Sequence, residues 1–212
     1  MTAALLGFAV AATLLILAPG PDSVLVMRNS LRGGRRAGLC TAAGTVTGLV
    51  SWGLAAALGL SALIAASRVG YDVLRIAGAA YLIWLGAVSL WPRHRVADPE
   101  DRGRRGRPRA AVPRRAYLNG VISNLCNPKI AAFYVAFLPG FIPAGVPVRE
   151  WSLLLAAWFA VETGVWLGAV VWMVNRGVDW LSRSGVQRML ERVTGLVLVG
   201  LGLRLALSLI HI

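Results

Sequence analysis

A series of long apolar stretches, separated by short segments that contain arginine, constrains this chain more than any other feature of its sequence. A bilayer core of about 30 Å requires roughly 20 apolar residues per spanning helix. The stretches cover residues 3–18, 38–66, 73–91, 117–142, 151–174 and 193–210. Because they leave almost no sequence for a soluble domain, we predict an all-α polytopic membrane protein, with six transmembrane helices in a single domain over 1–212.

The chain has 22 basic and 9 acidic residues and a net charge of +13. In a soluble protein this charge would favour a nucleic-acid partner. Here the arginines are concentrated in loops, with four in 28–36, nine in 92–115 and four in 175–192, whereas the other loops hold three in all. The positive-inside rule therefore places the arginine-rich loops in the cytoplasm and both termini outside, with membrane lipid and not nucleic acid as the expected partner.

Two halves of the chain, about 1–91 and 116–212, are weakly similar to each other on either side of the loop 92–115. Three short matches occur in the same order: Pro21-Asp22 with Pro128-Lys129, Thr47-Gly48 with Thr163-Gly164, and 75–78 with 192–195. Because each half has three helices, the second half enters the membrane from the side opposite to the first. The sequence thus predicts a 3+3 inverted-topology repeat, a plan typical of secondary transporters.

Prolines interrupt the first helix of each half. Pro19, Gly20 and Pro21 follow the first apolar stretch, which resumes over 24–27, and Pro128 interrupts the fourth stretch. A proline inside a helix removes a backbone donor and clashes with the preceding turn. In inverted-repeat transporters the substrate site lies near the membrane midplane at such pairs of broken helices, so we expect the site here.

Asp22, Lys129 and Glu162 are ionisable residues within otherwise apolar stretches. Each charge costs at least about 2.5–3.5 kcal/mol at mid-bilayer, so a cavity or a partner is expected. Asp22 either only caps its half-helix or also binds a substrate ammonium group or a proton. Lys129 either pairs with Asp22 or binds a substrate carboxylate. An α-amino acid presents one ammonium and one carboxylate, which suits opposite charges on two broken helices.

Asn127 is predicted to cap the half-helix that begins at Pro128, a favoured first helical residue. Asp22, Asn127 and Lys129 are therefore the candidate substrate-binding residues. Glu162 lies in the middle of the fifth stretch and has no charged counterpart in the other half. A lone buried carboxylate is readily protonated, so Glu162 joins Asp22 as a candidate for proton coupling, or else belongs to a structural pair.

The sequence contains no P-loop, no G-x-S-x-G motif and no H-E-x-x-H motif. We therefore expect neither an enzyme nor an ATP-driven pump, and no cofactor or bound metal. A metal-cation exporter and a passive channel or scaffold are alternatives to an amino-acid exporter, although the chain lacks a cluster of metal-ligand residues. Small residues such as Gly44-x-x-x-Gly48 permit close helix association within or between protomers, which leaves a homodimer open.

Two blocks of sequence resemble a known family. Residues 17–22 (Leu-Ala-Pro-Gly-Pro-Asp), followed by 28–30 and 34–38, resemble the first conserved block of the lysine-exporter/homoserine-efflux (LysE/RhtB) family. Asn127-Pro128-Lys129 with 137–141 (Phe-Leu-Pro-Gly-Phe) resembles the second block, although Gly140 stands where the family usually has a glutamine. The resemblance implies a bacterial inner-membrane exporter of amino acids or close derivatives, driven by proton antiport.

Overall fold

The computed structural model describes residues 2–17, 20–90, 113–143 and 145–177, together with separate positions between 185 and 203. The α-helices are α1 (Thr2–Leu17), α2 (Pro21–Ala66), α3 (Arg68–Leu90), α4 (Pro113–Leu125), α5 (Pro128–Ala132) and α6 (Val148–Asn175). A π-helical segment (Phe133–Phe137) and a 3-10 turn (Leu138–Phe141) follow α5. The regular structure of these residues is entirely helical, which confirms the all-α prediction for this part of the chain.

Helix α2 contains a sharp kink at Gly34, whose backbone dihedrals are φ 71° and ψ −173°. Only glycine adopts this conformation without steric strain. The chain is helical on both sides of Gly34, so the predicted loop over 28–36 is wrong. A single glycine makes the turn predicted over nine residues, and the arginines of this region lie on two helix ends.

The other two predicted basic loops are only partly described. Residues 91–112 lie outside the described part of the chain, and the last residues of the predicted loop 92–115 already belong to α4. After α6, the chain makes a turn at Arg176 and Gly177. The described positions from Gly185 onwards are helical, so the predicted loop 175–192 is also too long at its C-terminal end.

Helices α2 and α4 cross with their backbones in direct contact. A Cβ atom at Gly44 would lie 2.0 Å from the carbonyl oxygen of Tyr117, and one at Gly48 would lie 2.7 Å from Oδ1 of Asn124. A Cβ at Gly120 would likewise lie 2.2 Å from an α2 carbonyl oxygen. The contacting positions advance together along both helices, so the part of α2 after Gly34 runs parallel to α4. The Gly44-x-x-x-Gly48 pattern therefore serves packing within the chain, and a homodimer stays a prediction.

Helices α2 and α6 pack in the opposite sense. Gly53 approaches Ala156, and Gly38 approaches Val171. The earlier of the two α2 residues contacts the later of the two α6 residues. The part of α2 after Gly34 and α6 therefore run antiparallel.

Helix α3 contacts the described positions near the C-terminus in the same antiparallel way. A Cβ at Gly86 would lie 2.7 Å from the carbonyl oxygen of Gly195, and one at Gly202 would lie 2.6 Å from Cγ1 of Ile83. The later residue of α3 contacts the earlier residue of the C-terminal segment, so the two segments run antiparallel.

The outer faces of the helices are apolar. Two helices in the described part of the chain, Pro21–Gly59 and Val148–Asn175, are long and apolar enough to cross a bilayer by length and composition, and Leu5–Leu17 and Ile76–Val88 are shorter apolar helices. Large apolar side chains exposed on these helices include Leu6, Val10, Val50, Leu54, Leu58, Val161 and Val165. Large exposed apolar patches are uncommon in soluble proteins, and contact of these side chains with lipid stays a prediction. The number of spans stays a prediction.

An aromatic core holds the segment after α5 against α1 and α6. Phe133 stacks on Phe159 of α6 with ring centroids 4.2 Å apart. Phe8 of α1 contacts Phe141 edge to face with centroids 5.6 Å apart. Phe133 begins the π-helical segment, a local departure from α-helix that is frequent at functional sites.

Candidate functional site

The first break lies between α1 and α2. Helix α1 ends at Leu17, Gly20 is not helical, and α2 begins at Pro21. Pro19, the other predicted breaking residue, lies outside the described residues. The carbonyl oxygen of Gly20 accepts the first hydrogen bond of the new helix, from the N–H of Val24 at 3.2 Å. The predicted break is confirmed at these residues.

The second break lies between α4 and α5. Asn127 has an extended backbone, and its Oδ1 accepts a hydrogen bond from the N–H of Lys129 at 3.1 Å. Pro128 is the first residue of α5. The predicted N-cap is confirmed. Lys129 is the second residue of its helix, as Asp22 is of α2, so opposite charges occupy matching positions at the two breaks.

The carboxylate of Asp22 accepts hydrogen bonds from the other half of the chain. Ser123 Oγ donates to Oδ1 at 2.7 Å, and the amide nitrogens of Asn124 and Asn127 donate to Oδ2 at 2.9 and 3.0 Å. The carboxylate also lies in the first turn of α2, where the helix dipole favours an anion. A carboxylate offers about four acceptor positions, so Asp22 can accept one more donor.

Ser123 and Asn124 were not identified from the sequence. Both precede the second break on α4, and Asn124 is fully buried. Two adjacent polar residues in an apolar stretch, three to four residues before an Asn-Pro, were the available signal. Asn127 completes the arrangement, since one end of its amide binds the Asp22 carboxylate and the other caps α5. The two breaks are thus joined through the side chain of Asn127.

The ammonium group of Lys129 lies at the C-terminal end of α1. Its Nζ donates a hydrogen bond to the carbonyl oxygen of Leu15 at 3.1 Å. In an uninterrupted helix that oxygen would accept from the N–H of residue 19, and Pro19 has none. The cation also meets the negative end of the α1 dipole and is attracted by the Asp22 carboxylate. Gly20 leaves it room, because a Cβ there would lie 3.0 Å from Nζ.

A narrow cavity of about 30 Å³ lies at the two breaks, large enough to hold a water molecule. Polar groups line one part of it and apolar side chains from α1, α5 and α6 line the rest. The lining residues are Leu15, Ile16, Gly20, Asp22, Ser23, Asn124, Asn127, Lys129, Ile130, Phe159, Thr163, Trp166 and Leu167. The structure therefore brings Asp22, Asn127 and Lys129 together in one cavity.

Three of the lining residues have a buried polar atom with no hydrogen-bond partner in the described part of the chain. These atoms are Asn124 Oδ1, Thr163 Oγ1 and Trp166 Nε1. Leaving such an atom unpaired costs about 1–3 kcal/mol.

Glu162 does not line this cavity. Its Oε1 is hydrogen-bonded with Thr13 Oγ1 of α1, and its Oε2 is buried without a partner among the described residues. The carboxyl group therefore connects α6 to α1, the same helix whose end binds Lys129. The next residue, Thr163, does line the cavity. Glu162 is thus adjacent to the site without belonging to it.

Comparisons with known proteins extend over nearly the whole chain. The family model of LysE type translocators matches residues 13–209. A protein named uncharacterized membrane protein YrhP, from Bacillus subtilis, is 33% identical over 208 residues, which cover 96% of this chain and 99% of that protein. No solved structure matches the chain at a significant level.

Two further relatives have functional names. The homoserine/homoserine lactone efflux protein of Salmonella typhimurium is 29% identical over 199 residues, covering 92% of this chain and 91% of that protein. The leucine efflux protein of Salmonella choleraesuis is 28% identical over 204 residues, covering 94% and 92%. The protein is a membrane transporter and not an enzyme. The chain belongs to the LysE type translocator family.

Proposed function

We propose that this protein exports amino acids or close derivatives from the cytoplasm in exchange for protons. The observation that carries the proposal is the pair of opposite charges, Asp22 and Lys129, at matching positions of two helix breaks that share one cavity. Both charges of an amino acid find a counterpart there. Two relatives are named as efflux proteins for homoserine and leucine, which supports the same substrate class.

The substrate ammonium group would bind near Asp22. Among the described residues the carboxylate there accepts three hydrogen bonds and so has one acceptor position left. The substrate carboxylate would bind the ammonium group of Lys129, which lines the same cavity. The cavity is too narrow for an amino acid beside these groups, so binding requires the surrounding helices to separate, as alternating access demands.

The helix directions support a single domain made of a 3+3 inverted-topology repeat. In such a repeat each helix runs antiparallel to its counterpart in the other half. Thr47-Gly48 of α2 and Thr163-Gly164 of α6 are the predicted counterparts, and α2 and α6 pack antiparallel. The antiparallel contact between α3 and the positions near Gly195 fits the same relationship. With six spans, the arginine-rich segments would face the cytoplasm of a bacterial inner membrane.

Glu162 is the best candidate for the transported proton. Thr13 Oγ1 donates to the carbonyl oxygen of Ala9 at 2.8 Å and is also hydrogen-bonded with Glu162. A hydroxyl group has one proton to donate. Both hydrogen bonds exist together when a protonated Glu162 donates to Thr13, whereas after loss of that proton the Thr13 hydroxyl can donate to Glu162 or to Ala9 but not to both. Since α1 also carries the Leu15 carbonyl, protonation would influence the arrangement around Lys129.

Transport into inside-out vesicles tests the proposal. Vesicles with an acidic lumen should accumulate at least one radiolabelled amino acid from a panel, and accumulation should be lost in Asp22→Asn and in Lys129→Met. Glu150→Gln, which changes an exposed carboxylate at the start of α6, is the matched control and should transport normally. Uptake of no amino acid, or a metal flux that a chelator abolishes, would overturn the proposal.

A further inference from the structure

A groove on the surface of α2 begins directly after the turn at Gly34. Its volume is about 400 Å³, and it is lined by Arg35, Arg36, Leu39, Cys40 and Ala43. These positions follow the i, i+4, i+8 spacing of one helix face. No described residue lines both this groove and the cavity at the helix breaks, so the groove is a separate feature of the protein.

The groove is charged at one end and apolar along the rest. Arg35 and Arg36 are exposed at its start. Leu39 is 42% exposed, and Ala43, one turn later, is also exposed. At the rise of an α-helix, Ala43 lies about 12 Å along the axis from Arg35. The face thus joins two guanidinium groups to an apolar wall.

The two arginines of the groove have no counter-charge among the described residues. Neither Arg35 nor Arg36 forms an ion pair there. The carboxylates of Asp22 and Glu162 are hydrogen-bonded elsewhere, at the helix breaks and to α1. Glu150 lies in the first turn of α6, which runs antiparallel to this part of α2 and so begins at the other end of the bundle. Both positive charges are therefore available to an anion.

Further arginines lie at the same end of the bundle. Arg28 and Arg32 precede Gly34, and Arg114 and Arg115 are exposed in the first turn of α4. Because α4 runs parallel to the part of α2 after Gly34, its first turn lies at the same end as the groove arginines. A cluster of one sign attracts ions of the other sign to its surroundings. The ligand that this end favours is an anion.

A phospholipid matches both parts of the groove. Planar guanidinium groups bind phosphate through paired hydrogen bonds, and an acyl chain can cover Leu39 and Ala43. Basic pockets beside membrane helices bind anionic headgroups in this way. The groove lies on the segment Pro21–Gly59, which is long and apolar enough to cross a bilayer. A soluble anion would use the arginines and leave the apolar wall uncovered.

We propose that this groove binds an anionic phospholipid, with its phosphate on the two arginines and one acyl chain along the apolar wall of Leu39 and Ala43. The inference goes beyond the proposed function, since it holds whichever substrate the protein carries. An anionic headgroup beside Gly34 also reduces the repulsion between the arginines on the two sides of the turn. A lipid that binds the folded protein raises its unfolding temperature.

Lipid binding to the purified full-length protein in detergent tests the inference. At about 0.15 M salt, where long-range attraction is screened, fluorescent phosphatidylglycerol should bind about tenfold more tightly than phosphatidylcholine with the same acyl chains. Arg35→Gln and Arg36→Gln should each weaken the binding of phosphatidylglycerol by about fivefold and remove part of the rise in Tm that it causes. Arg149→Gln, an exposed arginine at the start of α6 and thus at the other end of the bundle, is the matched control and should bind normally.

The apolar wall needs a test of its own, because it distinguishes a lipid from a soluble anion. Ala43→Trp fills the groove without changing its charge and should weaken the binding of phosphatidylglycerol. Ala55→Trp is the control, since Ala55 is also exposed on α2 but does not line the groove. Glycerol 3-phosphate, the headgroup chemistry without acyl chains, should not displace the lipid at equal concentration.

The outcomes separate a lipid site from the other occupants. Equal affinity for phosphatidylglycerol and phosphatidylcholine, or unchanged binding when both groove arginines are replaced, overturns the inference. Displacement by glycerol 3-phosphate assigns the arginines to a soluble anion, and an equal loss in Arg149→Gln shows general charge attraction; both overturn it. A dimer that becomes a monomer in Ala43→Trp assigns the face to a second copy of the chain. The assay involves no transport, so its failure leaves the proposed function unaffected.

Discussion

Lys129 Nζ donates a hydrogen bond to the carbonyl oxygen of Leu15, 114 residues earlier in the chain and 3.1 Å away. The proline at position 19 leaves this oxygen without its usual backbone donor. The Lys129 side chain, at the start of α5, thereby supplies the hydrogen-bond donor that is missing at the end of α1. A substrate carboxylate that draws Lys129 away would leave the end of α1 open, which provides a direct route from binding to helix movement.

Replacing Lys129 should therefore affect both transport and stability. Lys129→Met leaves the Leu15 carbonyl unpaired and Asp22 without its counter-charge, which should cost about 1–3 kcal/mol and lower the Tm of the purified protein in detergent. Lys129→Arg keeps the charge and should retain more of the stability than of the transport, because a wider planar group must fit against Gly20. Equal Tm values for Lys129→Met and the unaltered protein would contradict this role.

Substitutions of Asn127 should affect both stability and amino-acid binding, because its amide makes a hydrogen bond at each end. Asn127→Ala removes the cap of α5, worth about 1 kcal/mol, and one hydrogen bond to Asp22. Asn127→Asp keeps the cap but places a second carboxylate beside Asp22. We expect a lower Tm in Asn127→Ala and loss of amino-acid binding in Asn127→Asp.

The control for Asn127 is Asn175→Ala, which removes a side-chain hydrogen bond to Val171 at the end of α6. Thermal unfolding and radioligand binding measured side by side should show that this variant binds normally. A fall in binding as large as that of Asn127→Asp would show that the assay reports general damage.

The crossing of α2 and α4 should tolerate no added side-chain atom. A Cβ at Gly44 would lie 2.0 Å from a backbone oxygen of α4, so Gly44→Ala must push the helices apart. Overpacking of this kind costs about 1–3 kcal/mol. Gly168→Ala on α6 is the control, since nothing lies within 4 Å of its added Cβ. Unfolding temperatures that fall equally in both variants would argue against the close crossing.

Glu162→Gln should uncouple transport from the proton gradient. Glutamine can still donate a hydrogen bond to Thr13, as a protonated glutamate does, but it cannot release a proton. Accumulation driven by an imposed pH gradient should therefore be lost, whereas exchange of labelled for unlabelled amino acid across the membrane should continue. Accumulation that persists in Glu162→Gln would assign the proton to another residue, with Asp22 as the next candidate.

The breaks were predictable from sequence because proline and asparagine act locally. Pro21 and Pro128 lack a backbone donor wherever they stand, and Asn127 before a proline is a typical N-cap. The all-helical class followed from the lengths of the apolar stretches in the same way. Each of these predictions depends on a few neighbouring residues and not on the tertiary packing.

The turn at Gly34 was not predicted because its cause is a single dihedral angle. Four arginines, two on either side of Gly33-Gly34, suggested a solvated loop, whereas arginine side chains can extend from a helix towards water or headgroups. The partners of Asp22 were missed for a different reason. Ser123 and Asn124 reach Asp22 across about a hundred residues of sequence, and only the tertiary packing of the two helix breaks brings them together.

The central claim is that the cavity binds both charged groups of an amino acid through Asp22 and Lys129. Equilibrium binding to the purified protein tests it most directly, with labelled substrate displaced by analogues that lack one charge. We predict that the intact amino acid competes, whereas the amine without a carboxylate and the hydroxy acid without an ammonium group do not. We also predict that Asp22→Asn and Lys129→Met bind neither the intact amino acid nor the two analogues. Competition by either analogue as strong as that by the intact amino acid would contradict the account.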